Sequence, residues 1–178
     1  MSQFTVTFSE VMHRYLNPSS VYESIYDIDF GALWDDGMRY VFFDVDNTLI
    51  SYADSDVSIQ CMNLFNSIQS IGFEHVMLVS NNSNVDRIER VATQLKLPAV
   101  TFACKPFVFT MRRLGYDHGI QFNQSVFIGD QLLTDVLLAN SLGMRSIFVD
   151  PIDQSNISFV KQSQYKFQSW LMAAFFNV

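Results

Sequence analysis

Tyr40-Val41-Phe42-Phe43-Asp44-Val45-Asp46-Asn47-Thr48-Leu49 sets four apolar residues against a segment that opens on two aspartates. An apolar run of this length, without polar alternation, fits a strand buried on both faces. Residues 76–79, 99–102, 126–128 and 147–149 repeat the pattern. Between the runs lie stripes at helical spacing. Cys61, Leu64, Phe65 and Ile68 form one, and Val85, Ile88, Val91, Ala92 and Leu95 a second. Phe107, Met111 and Leu114 form a third, and Leu133, Val136, Leu137 and Asn140 a fourth. Strand and helix alternating in this way predict an α/β fold, a doubly wound, Rossmann-like parallel sheet of five strands flanked by helices.

The chain has 178 residues, the size of one compact domain. The expected division is an extension over 1–39, a core over about 40–151 and a helical tail over 152–178. Met12, Tyr15 and Leu16 predict an amphipathic turn in the extension, and Trp34 is expected to pack on the sheet. Phe167, Trp170, Leu171, Ala174 and Phe175 give the tail a helical stripe. Gly115 and Gly119 predict a turn through Tyr116, Asp117 and His118. A net charge of −7 argues against nucleic-acid binding, which needs a basic face. Cys61 and Cys104 form no CxxC pair and read as buried thiols, and His13, His75 and His118 lack partners at ligand spacing. The N-terminus has no secretory pattern, and the longest apolar stretch, 170–176, falls far short of the ~20 residues that span a bilayer. A cytoplasmic protein is expected, peripheral at a membrane if its substrate is a lipid.

Ligands of open parallel sheets bind beyond the carboxyl ends of the strands. There the sequence places Asp44, Asp46 and Thr48 after the first run and Ser80, Asn81 and Asn82 after the second. Lys105-Pro106 follows the third, and Gly129-Asp130 with Asp135 the fourth. These carboxylates beside one ammonium at a single edge call for a cation or a phosphate. Asp44 is suited to attack phosphorus, and Asp46, two residues on, to act as acid and base toward the leaving oxygen and water. Asp130 with Asp44 makes an all-oxygen Mg²⁺ site, and Asp135 is placed to hold a metal-bound water. Thr48, Ser80, Asn81 and Lys105 are the candidate phosphate-binding groups.

The set resembles the four motifs of the haloacid dehalogenase (HAD) superfamily of phosphohydrolases: Asp44-Val45-Asp46-Asn47-Thr48-Leu49, Ser80, Lys105 and Gly129-Asp130 with Asp135. It is similar in finer marks to the subfamily IIIA phosphatases that include the phosphatidylglycerophosphatases. These marks are Val79-Ser80-Asn81-Asn82, Lys105-Pro106-Phe107 and Gly129-Asp130-Gln131-Leu132-Leu133-Thr134-Asp135. The likeness covers about residues 22–151. It implies a Mg²⁺-dependent phosphomonoesterase with Asp44 as nucleophile, Asp46 as acid/base, and Asp44, Asp46 (through its backbone carbonyl), Asp130 and Asp135 around the metal.

Only one helix and one strand fit between Asp46 and Ser80, and again between Ser80 and Lys105, so no cap domain is expected. An open site suits a phosphate carried on something large: a lipid headgroup at a membrane surface, a protein side chain or a nucleic-acid end, with a protein or nucleotide phosphate as the alternative substrate. The tail beyond 151 holds only Lys161 and Lys166 against Asp153, which weighs against an anionic lipid surface, whereas its aromatics favour one. The readings from another class are a receiver-like signalling module and a non-catalytic adaptor. A nucleophile after the first core strand favours the enzyme over the receiver.

Overall fold

The computed structural model describes residues 7–155 and 159–176. Six parallel strands run in the order β1-β6-β5-β2-β3-β4: β1 Ser20–Tyr22, β2 Tyr40–Phe43, β3 His75–Val79, β4 Ala99–Val100, β5 Ser125–Gly129 and β6 Arg145–Val149. The sheet is thus six-stranded rather than five-stranded. The extra strand comes from the extension, where β1 pairs with β6 in the register Ser20 to Ile147. It is short, half-buried and at the edge, so it lacks the continuous apolar run that marks the inner strands. The third expected run, 99–102, is cut to Ala99–Val100, because Phe102 and Cys104 turn the chain off the sheet at positive φ.

Successive residues of β2 face opposite layers. Val41 and Phe43 join Leu78 and Ile128 in a core beneath helices α3 (Ile59–Ile71) and α4 (Val85–Leu95). Phe42 joins Met77, Val79 and Phe127 in a second core beneath α5 (Phe109–His118) and α6 (Leu137–Leu142). A third cluster, of Leu16, Leu132, Phe148, Leu171 and Met172, ties α1 (Phe8–Leu16) and α7 (Phe159–Leu171) to the outer half of the sheet. A short helix α2 (Phe30–Asp35) completes the helical set.

Several local expectations change. α5 begins after Phe107, which is exposed, and it runs through Gly115 to His118, so the turn lies at Gly119, the C-cap, with φ +68°. Trp34 stands edge-on to Phe73 beyond the end of α3 instead of on the sheet, with the Arg39 guanidinium 3.9 Å from its ring centroid. Cys61 is buried as expected, but Cys104 is exposed on the turn after β4. His75 and His118 are packed edge-to-face at 5.7 Å, at the opposite end of β3 from the acidic loops. The fourth stripe divides into a π-helical turn over Leu132–Val136 and then α6. In α7 the buried face is Tyr165, Gln168 and Leu171, continued by Met172, while Phe167 and Trp170 stack on each other in solvent. The apolar stripe read from sequence thus holds for Leu171 and Phe175, which pack on the third cluster, and fails for Phe167 and Trp170. Among the described residues no helix is long and apolar enough to cross a membrane.

Gly129, the last residue of β5, is required by a close approach. A Cβ there would lie 2.3 Å from Asp135 Oδ2 and 2.5 Å from its carboxyl carbon. Gly129→Ala is expected to push the Asp135 carboxylate aside and lower stability by about 1–3 kcal/mol, the usual cost of overpacking. Chemical denaturation of both proteins checks this, and equal midpoints would contradict the packing.

Candidate active site

The strand order reverses between β2 and β5, so the two loops leaving them diverge and form a crevice at the carboxyl edge. Asp44 continues β2, with its N–H donating to Ile128 O at 2.9 Å, and Asp130 immediately follows β5. The loop after Asp44 is wound tightly. Leu49 N–H donates to Val45 O, Asn47 N–H donates to Ile50 O, and Asn47 takes φ 65°, a left-handed position that asparagine tolerates better than most residues. Asp135 arrives from the π-helical turn, where its Oδ2 accepts the Gln131 N–H at 3.1 Å.

Carboxylate oxygens of Asp44, Asp130 and Asp135 lie within 4.8 Å of one another, and all three residues are buried. Lys105 reaches into them from the turn after β4. Its Nζ is 2.6 Å from Asp44 Oδ1 and 2.7 Å from Asp135 Oδ1, and 5.1 Å from the Phe127 ring centroid. Asp135 Oδ1 has this ion pair but no aligned hydrogen bond. Burial, only partly offset by Lys105, raises the Asp44 carboxyl to about 7, and burial with the charges of Asp44 and Asp135 raises Asp130 well above the usual range. Burial would push the Lys105 ammonium down, but Asp135 and Asp44 outweigh it and hold it above its ordinary value. Three buried carboxyl groups against one ammonium make an all-oxygen donor set short of positive charge. That set fits a hard divalent cation.

The other predicted residues fall around this centre. Ser80 is buried at the tip of β3, and its hydroxyl accepts the Asn82 N–H at 3.0 Å. Asn81 braces the lysine turn, donating to Lys105 O at 2.9 Å and accepting the Lys105 N–H at 2.7 Å. Thr48, expected to bind phosphate, directs its hydroxyl instead at Asp130 Oδ1 (3.2 Å) and Asp44 Oδ2 (3.4 Å). Asp46 sits across the opening, where Asn82 Nδ2 donates to its Oδ2 at 2.7 Å. The opening is a polar cleft of about 300 Å³ lined by Asp44, Asp46, Ser80 and Lys105, with Tyr52 and Lys161 at its border.

Sequence reasoning missed four contributors. Arg87, in the first turn of α4, donates through Nε to Asp46 Oδ1 at 2.9 Å and through Nη2 to Ser51 O at 2.7 Å. A cation in a first helical turn opposes the helix dipole, and that misplacement was a readable sign of a nearby carboxylate. Lys161 holds its ammonium 3.4 Å from the Tyr52 ring centroid, and burial lowers its pKa. Tyr165 and Gln168 approach Asp130 from α7, and nothing in the tail's composition pointed to them. Burial and the Asp130 charge raise the Tyr165 hydroxyl far above its ordinary range, so it stays protonated and donates.

Comparison with known proteins agrees with this arrangement. A family model described as "HAD-hyrolase-like" matches residues 102–151. A protein named "Probable phosphatase YqeG" from Bacillus subtilis (strain 168) is 28% identical over 146 residues, 82% of this chain and 84% of its own. In fold, the chain is similar to an uncharacterized protein from Listeria monocytogenes serotype 4b, with TM-score 0.54 and 14% identity over 76% of this chain and 98% of that one. A hypothetical protein from Xanthomonas campestris gives TM-score 0.52 and 17% identity over 86% and 92%. The motif order, the carboxylates gathered at the switch point and these likenesses lead to one conclusion: the chain is an enzyme, a phosphatase, and it is similar to the HAD-like hydrolases.

Proposed function

We propose that the protein hydrolyses a phosphomonoester in two steps through an aspartyl-phosphate on Asp44. The observation that carries this reading is the buried Asp44 carboxylate at the tip of β2, ion-paired to Lys105 at 2.6 Å and opening on the polar cleft. In the first step a carboxylate oxygen of Asp44 attacks phosphorus, the ester P–O bond breaks, and protonated Asp46 gives its proton to the departing alkoxide. In the second, Asp46 takes a proton from water, whose oxygen attacks phosphorus. The Asp44 oxygen is released, and inorganic phosphate leaves. Arg87 and Asn82 hold the Asp46 carboxylate over the cleft through both transfers. Lys105 and Ser80 bind non-bridging phosphoryl oxygens. Asp44, Asp130 and the Asp46 carbonyl would hold Mg²⁺, with Asp135 behind them, and the cation would neutralise charge on the phosphoryl group.

The substrate class is a phosphate on a lipid headgroup, phosphatidylglycerophosphate being the one implied by the sequence resemblance. Its support is twofold. Each connection from β2 to β4 carries a single helix, which supports reading the cleft as open. The helix that brings Lys161 to the rim also exposes Phe167 and Trp170, 48% and 57% accessible, as a stacked pair suited to a headgroup region. Mixed-micelle assays against the lipid phosphate, a phosphopeptide and a nucleotide test the class. Turnover of either soluble substrate with none of the lipid would defeat the lipid assignment and leave the phosphatase standing.

Metal dependence has its own test. An aryl phosphate should be hydrolysed with Mg²⁺ and not after chelation. Stability should respond too. With its carboxyl raised from 3.8 to about 7, Asp44 holds a proton in the fold that it lacks in the unfolded chain between those values. The metal-free protein therefore loses stability as pH climbs from about 4 to 7. Melting curves at pH 6 and 8 should differ in that direction, and saturating Mg²⁺ should narrow the gap.

A further inference from the structure

The reaction scheme makes no use of α7, yet the polar groups on its buried face converge on one catalytic loop. The Tyr165 hydroxyl donates to Asp130 Oδ2 and accepts from Asn47 Nδ2 at 3.1 Å. Gln168 Nε2 donates to Asp130 O at 2.8 Å, and its Oε1 accepts the Leu132 N–H at 2.7 Å. Thr48 donates to the remaining oxygen, Oδ1, at 3.2 Å. Every acceptor atom of Asp130 is thus engaged, two of the three by α7. The chain just before the helix is tied to the other acidic loop: Asn47 Nδ2 donates to Asp153 O at 2.6 Å, and Ile152 N–H donates to Asn47 O at 2.9 Å.

Stability alone does not account for this choice of residues. A helix face lying on Leu132, Phe148 and Leu16 would pack as well with apolar side chains, and replacing a buried polar pair by shape-matched apolar groups is often neutral. Asp130 has a reason to need restraint, because the like charges of Asp44 and Asp135 push against it. A carboxylate repelled from two sides swings away unless donors hold it. We propose that α7 is a clamp on the catalytic centre, with Tyr165 and Gln168 as positioning residues that fix Asp130 in the orientation the cation requires. This rests on the reading that Asp130 is a cation ligand. It adds that cation affinity is coupled to the docking of the tail helix. The coupling is reciprocal: whatever factor docking contributes to affinity, the cation returns to docking.

The test uses the full chain and Mn²⁺ as the probe, titrated without substrate and followed by the electron paramagnetic resonance of the free ion. Tyr165→Phe keeps the ring and removes the donor, and its Kd for Mn²⁺ should rise about 10-fold or more, as for other residues that orient a metal ligand. Its far-UV circular dichroism should remain that of the wild type. Gln168→Leu is the second variant and should weaken binding in the same direction. Trp170→Ala, on the exposed face of the same helix, should not. In the wild type, hydrogen exchange over residues 159–171 should slow when Mn²⁺ is added. Wild-type Kd values in folded Tyr165→Phe and Gln168→Leu would overturn the clamp, as would exchange in α7 that ignores the cation. A wild type that binds no Mn²⁺ would remove the metal reading itself, and the clamp with it.

Discussion

Asp44→Asn should reduce turnover of any phosphomonoester by at least about 10⁴-fold, the scale on which enzymes lose rate when their nucleophile is removed. An amide oxygen is a poor nucleophile toward phosphorus and brings no charge to the cation. The fold should survive, because the substitution is isosteric and the amide oxygen can still face Lys105 Nζ, which retains Asp135 at 2.7 Å. The metal-free variant should in fact melt no lower than the wild type at pH 8. There the wild-type Asp44 carboxyl, raised to about 7, is charged beside two further buried acids, and the variant removes that charge. Steady-state kinetics on the aryl phosphate and metal-free melting curves measure the two effects separately. Retained turnover in a preparation cleared of host phosphatases would rule out the covalent route through Asp44.

Most of the sheet was legible because burial on both faces leaves an unmistakable trace. Val41 and Phe43 face one layer, Tyr40 and Phe42 the other, and no polar residue interrupts them. The groups at the strand ends were legible for a related reason, since buried Asp, Ser and Lys beyond apolar runs have no ordinary packing role. β1 escaped notice because Ser20, Val21 and Tyr22 are each only half-buried at the edge. Thr48 was assigned to phosphate from its place in the motif, but only the folded loop shows its hydroxyl between Asp44 and Asp130. The tail misled for a physical reason as well. Hydrophobic phase assumes that apolar side chains mark the buried face, whereas α7 buries Tyr165 and Gln168 to satisfy Asp130 and leaves Phe167 and Trp170 outside. Arg87 joins Asp46 across 41 residues, and its place in a first helical turn hints at a carboxylate partner without saying which one.

Lys105→Ala should damage chemistry and stability together, and pH separates the two. The Lys105 side chain is 2% exposed and pairs with both Asp44 and Asp135, so its loss leaves three buried carboxyl groups with no counter-charge. Breaking a buried pair by removing one partner costs about 3–5 kcal/mol. The deficit should be largest above pH 7, where Asp44, whose carboxyl sits at about 7 even with the lysine present, would have to be charged. It should shrink toward pH 5, because the carboxyls take up protons and no longer need the ammonium. Saturating Mg²⁺ should recover part of the melting temperature by supplying the missing positive charge. It should not recover the rate if, as proposed, the ammonium also binds the phosphoryl oxygens as charge builds on them. Loss of such a donor lowers kcat by about 10²–10³-fold. Lys105→Met, which keeps the length of the stem against Phe127, tests whether packing explains any of this, and it should behave like alanine in rate but less severely in stability. If either variant kept wild-type kcat in saturating Mg²⁺, Lys105 would serve only to neutralise Asp44 and Asp135 in the resting protein, and transition-state charge would have to be met by the cation and Ser80 alone.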